Sequence, residues 1–348
     1  MNGRFLSLDG LRGVAALSVL LFHASDMFHK GPLMPHGFLA VDVFFILSGF
    51  VIALNYETAL RDGLALKHFL RARARRLLPT YWLGAAFCLP IFLWVVASAH
   101  TASPAMIWVL VPLITVLMLP AFGAPGDGFS PAMLNVNWSL FVEWLVNTAY
   151  AGWLFGQRTR TLVAIVAVGW AAMAVAGYFT GRGWCVGINR HEVFTYGLLR
   201  GVPGFLAGVV LYRLHARGLL VRLPNLSTEL LLAAWLCIAV VPTFTPTPTF
   251  DAFAVILLCP LLVALLLRSD RTSPAFCKPL GALSYPLYVT HPGIILLAQA
   301  TPVFGLQRGP DPLRATLVVA SSIGVAWMVQ KIAMMPTWLK PAAISPAA

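Results

Sequence analysis

Arg12 and His23 stand eleven residues apart in "LDGLRGVAALSVLLFH", residues 8–23, toward the two ends of an apolar run. At 100° per residue the spacing is about 1100°, roughly 20° beyond three turns, so a helix carries both on one face. Along the axis they lie about 16 Å apart. An imidazole that titrates near neutrality is the commonest general base, and a guanidinium is a permanent cation. Such a pair can hold an anion at one level and move a proton at another. Plainer roles also fit: Arg12 reaching to phosphates at the membrane surface, and His23 making one interhelical hydrogen bond.

Other polar residues interrupt apolar runs in the same way. A charge at the bilayer centre costs about 2.5–3.5 kcal/mol on insertion scales, so each one needs a reason. Asp42 opens the run in "GFLAVDVFFILSGF" and is either solvated there or part of a substrate site. Glu143, in "NVNWSLFVEW", lies about one and a half turns into its run, where a carboxylate needs a partner. Arg12, His23 or a tyrosine is the expected one. In "RARARR", residues 71–76, Arg73 and Arg76 are one turn apart, so both guanidiniums can grip one phosphorylated ligand; the cluster can also be a plain membrane anchor. Tyr285, Tyr288 and His291 recur at i, i+3 and i+6 in "LGALSYPLYVTHPGI", where Pro286 and Pro292 predict a broken, kinked helix with freed carbonyls. The five cysteines are scattered without a C-x-x-C pair, so neither a metal site nor a disulfide framework is expected.

Composition says what must position these groups. The chain has 348 residues, 59% of them hydrophobic and 10% charged, with a mean hydropathy of +0.82. Soluble domains run at about a quarter charged. Apolar runs of roughly 17–25 residues, long enough to cross a bilayer, recur along the whole length. The expected fold is all-α, a polytopic transmembrane helix bundle of about ten spans plus a re-entrant or interfacial segment. It forms one domain, residues 1–340, with a short tail over 341–348. The net charge of +12 lies mostly between apolar runs, which argues for inward-facing loops and against nucleic acid.

Alternating apolar runs with basic loops places spans at 11–29, 38–56, 78–98, 138–156, 161–179, 195–212, 228–242, 250–267, 283–300 and 313–335. The run after Ser103 carries Pro104, Pro112 and Pro120 and is the re-entrant segment, tolerable only if buried against other helices. Arg4 ahead of the first run resembles a signal peptide, but Asp9 and Arg12 interrupt it and no small-residue cleavage site follows. It reads as an uncleaved span, with both termini cytoplasmic. Arg200 is left near the outer edge.

These motifs, in this order, resemble the membrane-bound acyltransferase-3 family across essentially the whole chain. The resemblance rests on Arg12 and His23 in their Arg-x10-His spacing and on Asp42, Ser48, Gly49 and Phe50 in "VDVFFILSGFVI". It continues in Arg73, Arg76 and Pro79, in Trp138, Ser139 and Glu143 of "WSLFVEW", and in Ser284, Tyr285, Tyr288 and His291 of "LSYPLYVTHP". The fourth motif commonly has a second acidic residue or Gln after the Glu; here Trp144 stands there, leaving Glu143 as its carboxylate. Some members carry a further esterase-like domain after the last span, and none is expected here.

The resemblance implies an O-acyltransferase of the bacterial inner (plasma) membrane, with no bound cofactor. Cytoplasmic acyl-CoA, most simply acetyl-CoA, is the co-substrate, and a carbohydrate or glycolipid on the outer side is the acceptor. It implies that His23 is the central catalytic residue and that Arg73 and Arg76 help hold the donor. Arg12 and Glu143 join His23 as expected catalytic residues, Glu143 by orienting the imidazole or stabilising its cation as a triad carboxylate does. Asp42, Tyr288, His291 and Ser139 are expected at the substrates, with Asn137, Ser139 and Tyr288 as candidate oxyanion donors. Expected partners are acyl-CoA, the acceptor, the lipid bilayer and, as an open alternative, a second copy of the chain. A glycolipid or polysaccharide transporter is the competing class; it would show paired repeats, and none is visible.

Overall fold

A computed structural model describes residues 5–24, 33–98, 105–119, 136–181, 184, 193–241, 248–269, 272–301 and 312–334. The expected tail, 341–348, lies outside these residues. The described chain is helical throughout, with no strand. Twelve α-helices follow one another: α1 Leu6–Ala24, α2 Ala40–Arg61, α3 Leu66–Ser98, α4 Ala105–Val116, α5 Asn137–Gly152, α6 Thr159–Thr180, α7 Leu198–Ala216, α8 Thr228–Val240, α9 Pro248–Phe253, α10 Cys259–Leu266, α11 Pro274–Ala300 and α12 Pro312–Met334. A π turn at Ala254–Leu258 joins α9 to α10 in one apolar segment. Eight helical segments are long and apolar enough to cross a membrane.

Helices stand at all ten expected spans, but two are short. α5 has 16 residues and α8 has 13, below the roughly 20 that a 30 Å hydrocarbon core requires. The basic cluster 71–76, ahead of the expected span 78–98, is part of the same helix: α3 runs unbroken for 33 residues through Pro79 and Pro90. At 1.5 Å per residue that is about 50 Å, so one end of α3 extends well past a hydrocarbon core. α11 likewise continues through Pro286 and Pro292 rather than breaking at them.

The proline-rich segment after Ser103 folds as a short helix, α4, of 12 residues, about 18 Å long and too short to cross. Its last carbonyls are met by α3: Tyr81 Oη donates to Thr115 O at 2.6 Å and Trp82 Nε1 to Val116 O at 3.1 Å. Met118, at φ 55°, closes the helix in the left-handed conformation, and Leu119 N reaches back to Ile114 O. Backbone groups at a helix end are thus satisfied by protein, as such a segment within a membrane requires.

Two tight helix pairs organise the bundle. α11 is central to one, flanked by α1, α3 and α12. Gly13 of α1 rests directly on the backbone of Leu280 in α11, where a Cβ would overlap the chain. The other pair is α2 against α7, where Gly49 meets the carbonyl of Phe205 with no room for a side chain. Lipid tails are as apolar as leucine, so close van der Waals contact across small residues, rather than hydrophobic burial, holds such pairs.

Polar contacts pin α2 to α7 near both ends. Toward one end Arg200 Nη2 donates to Asp42 Oδ2 at 2.6 Å, Trp184 Nε1 donates to Asp42 Oδ1 at 3.2 Å, and the guanidinium lies 5.2 Å above the Trp138 ring. Toward the other, Arg213 Nε donates to Glu57 Oε1 at 2.9 Å and Tyr150 Oη to Glu57 Oε2 at 2.8 Å. Asp42 and Arg200 are each 1% exposed, so Asp42 is paired with a cation rather than solvated. A further buried contact, His36 Nδ1 to Asp251 Oδ1 at 2.9 Å, ties the start of α2 to α9.

Candidate active site

Between α1, α2, α3, α5 and α11 lies a cavity of about 110 Å³. Arg12, Ser48, Arg73, Arg76, Ser139, Glu143 and Tyr288 all line it, so four of the sequence motifs that stood far apart in the chain, together with Arg12 of the first, share one wall. Helical spacing explains the contribution of each element. Arg73, Arg76 and Leu77 fall on one stripe of α3; Ser139, Leu140 and Glu143 fall on one stripe of α5.

The cavity is strongly cationic. Arg73 is 4% exposed while Arg76 is exposed, so the two present one buried and one accessible guanidinium. Glu143 Oε1 accepts from Ser48 Oγ at 2.7 Å and from Arg73 Nη2 at 3.3 Å. Its partner is therefore Arg73, not the expected Arg12, His23 or tyrosine, and the carboxylate does not back His23. Arg73 Nε is buried without a hydrogen-bond partner. Arg12 and Arg76 make no ion pair among the described residues. The lining holds three guanidiniums and one carboxylate, with Asp9 beside Arg12 behind it, which still leaves a net positive charge where an anion can bind.

One turn beyond Tyr288 along α11 lies His291, which meets the histidine expected to do the chemistry, His23 near the end of α1. His23 Nδ1 is 3.2 Å from Nε2 of His291, and His291 Nδ1 is 2.9 Å from the carbonyl oxygen of Leu287. The ring centres are 5.2 Å apart with planes 29° from parallel. Tyr288, which lines the cavity, packs 6.1 Å from the His291 ring and links the two regions. His291 is 1% exposed.

Hydroxyl protons can be assigned from their acceptors. Ser139 Oγ lies 3.0 Å from Val136 O, which can only accept, so Ser139 donates there. Tyr288 Oη, 2.6 Å from Ser139 Oγ, is then the donor to it. Both protons are committed, and neither hydroxyl is poised as an oxyanion donor in this arrangement. The Asn137 amide Nδ2 is buried and unpartnered. Asp42, expected at a substrate, is absent from the cavity lining because its carboxylate is saturated by Arg200 and Trp184. The sequence gives Ser48 no role of its own; the hydroxyl inside "VDVFFILSGFVI" is the signal that could find it. Among the described residues no three His, Cys, Asp or Glu side chains stand together as metal ligands.

Several known proteins are similar in sequence to this chain. "Protein 2 in picA locus" of Rhizobium radiobacter is 37% identical over 183 residues, 50% of this chain and 94% of that protein. "Exopolysaccharide production protein ExoZ" of Rhizobium meliloti (strain 1021) is 26% identical over 315 residues, 88% of this chain and 91% of its own. "Peptidoglycan O-acetyltransferase OatA" of Listeria monocytogenes is 38% identical over 78 residues, covering 22% of this chain and 12% of that one. No solved structure matches the chain. The family model described as an acyltransferase domain covers residues 5–331, so the chain, whose motifs fold around one cavity with the His23–His291 contact beside it, belongs to the acyltransferase-3 family of integral membrane acyltransferases.

Proposed function

We propose that this protein transfers an acyl group, most simply acetyl, from cytoplasmic acyl-CoA to a hydroxyl of an exported carbohydrate on the outer side of the inner membrane. The observation that carries the proposal is the cavity in which Arg12, Arg73 and Arg76 face one carboxylate, joined through Tyr288 to the His23–His291 pair. Phosphates are the natural ligands of convergent guanidiniums, and CoA carries several. Charge in the basic loops favours the arginine end as the cytoplasmic one. The names of two relatives, one for exopolysaccharide production and one for peptidoglycan O-acetylation, favour a carbohydrate hydroxyl as acceptor.

In this reading the arginines hold the phosphates while the thioester reaches toward His23. His23 accepts the proton of the sugar hydroxyl as its oxygen attacks the thioester carbonyl carbon. The tetrahedral oxyanion then collapses, the carbon–sulfur bond breaks, and the thiolate takes the proton back from the imidazolium. The products are the sugar ester and CoA–SH. Of the three candidate oxyanion donors, Ser139 and Tyr288 line the cavity, and either hydroxyl would turn from its present acceptor to serve.

The test uses purified protein in sealed proteoliposomes of one orientation, with labelled acetyl-CoA on one face and an oligosaccharide acceptor on the other. Ester should form when donor meets the arginine face and acceptor the opposite face, and His23→Ala should abolish it at equal protein level. Product only when both substrates share the arginine face would make this a one-sided enzyme. No product from any acyl-CoA would refute acyl transfer from this donor.

A further inference from the structure

We infer that His291 is a positioning residue: it fixes the tautomer of His23, and so which nitrogen of that ring can act as base. The inference deepens the acyl-transfer reading and rests on it.

The argument starts from an atom that can only accept. Leu287 O lies 2.9 Å from His291 Nδ1, so with a neutral ring the proton of His291 is on Nδ1. His291 Nε2 then carries a lone pair. Its neighbour at 3.2 Å is His23 Nδ1, which must be the donor in that contact. With its proton on Nδ1, a neutral His23 has its lone pair on Nε2. The carbonyl of α11 thereby decides, through two rings, which nitrogen of α1 acts as base.

The same order sets where the proton goes. When the sugar hydroxyl gives its proton to His23 Nε2, both nitrogens of that ring are protonated. The Nδ1 proton stays in its hydrogen bond to Nε2 of the buried, neutral His291, whose own Nδ1–H is held by Leu287 O, so the cation remains on His23 and its ring stays in place. When the thiolate leaves, the Nε2 proton goes to sulfur. No proton or electron is left over. A neutral imidazole thus occupies the position behind the base that a carboxylate fills in a Ser-His-Asp triad. Glu143, expected in that role, is bound to Arg73 and Ser48 instead. The packing supports this rigidity: Gly13 lets α1 lie against the Leu280 backbone of α11, and His291 is buried.

The test combines a spectrum with kinetics on the full-length protein in bilayers. With 15N-histidine labelling, and His23 and His291 signals assigned by single His→Gln variants, both rings should show a protonated Nδ1 and a pyridine-type Nε2 at rest. A resting His23 protonated on Nε2, or on both nitrogens, would overturn the inference. His291→Leu should lower kcat at least ~100-fold, the scale of general-base catalysis, with KM for acetyl-CoA unchanged. His291→Gln can offer an amide oxygen near the place of Nε2 and should recover most of that loss. Equal, undiminished kcat in wild type and His291→Leu would also overturn it. Absence of acyl transfer by the wild type would refute the functional reading instead, and the spectra would still decide the tautomer.

Discussion

Arg73 Nη2 lies 3.3 Å from Glu143 Oε1, while Nε of the same guanidinium is buried with no partner. One arginine therefore does two things: it neutralises a carboxylate of α5 and keeps a donor in reserve beside the cavity. That division predicts different consequences for changes at its two partners.

On the ligand side, Arg73→Ala and Arg76→Ala should each raise KM for acetyl-CoA about 10–100-fold, the equivalent of one charge-assisted hydrogen bond of roughly 1.5–3 kcal/mol. Arg73→Lys should restore only part of the loss, because an ammonium cannot reproduce a two-donor grip. Steady-state kinetics at matched protein levels decides it. An unchanged KM in both alanine variants would make the cluster a membrane anchor.

On the carboxylate side, Glu143→Gln keeps an acceptor for Ser48 and Arg73, whereas Glu143→Ala removes both bonds and leaves the Arg73 charge unpaired. The order of thermal stability in detergent should be wild type, then Gln, then Ala. A Gln variant as unstable as Ala would mean that charge, not hydrogen bonding, sets the effect.

Asp42 should matter for folding rather than turnover. Removing one partner of a buried pair costs about 3–5 kcal/mol, so Asp42→Ala should sharply reduce the monodisperse yield on size exclusion. Molecules that do fold should keep the wild-type KM for acetyl-CoA. Replacing both partners, as Asp42→Leu with Arg200→Met, should recover yield, since a packed apolar pair leaves no charge uncompensated. A normally folded Asp42→Ala protein with raised KM would return Asp42 to the substrate site.

Gly13 should be intolerant where Gly324 is not. A side chain at Gly13 meets the Leu280 backbone and must push α1 from α11, separating His23 from His291. Gly13→Leu should therefore lose most kcat. A Cβ at Gly324 of α12 meets nothing within 4 Å, so Gly324→Ala should leave activity unchanged and gain up to about 1 kcal/mol from helix propensity. Comparable activity in Gly13→Leu and wild type would show that the α1–α11 contact does not set the site.

Much of this was legible in the sequence. Hydropathy over 20-residue windows is a property of neighbours along the chain, so the apolar runs fixed where helices would stand and which segment was too short and proline-rich to cross. The eleven-residue spacing of Arg12 and His23 fixed their common face, because helical geometry is local. The Arg73–Arg76 spacing likewise put two guanidiniums on one side of α3, and the structure brings both to the cavity. Helix limits were less certain: α3 begins at Leu66 because the arginine-rich segment is itself a good helix former, whatever its charge.

What only the tertiary structure decided is which polar group meets which. Glu143 joins Arg73 from 70 residues away, Asp42 joins Arg200 from 158, and His23 joins His291 from 268. The carboxylates, cations and imidazoles were all visible beforehand, and several pairings would have satisfied their charges equally well. The choice is made by which helix faces come into contact, and those contacts depend on steric fit at places such as Gly13 on Leu280 and Gly49 on Phe205. Charge alone is promiscuous at a distance; close packing of backbones is not, and it is the packing that puts His291 rather than Glu143 behind His23.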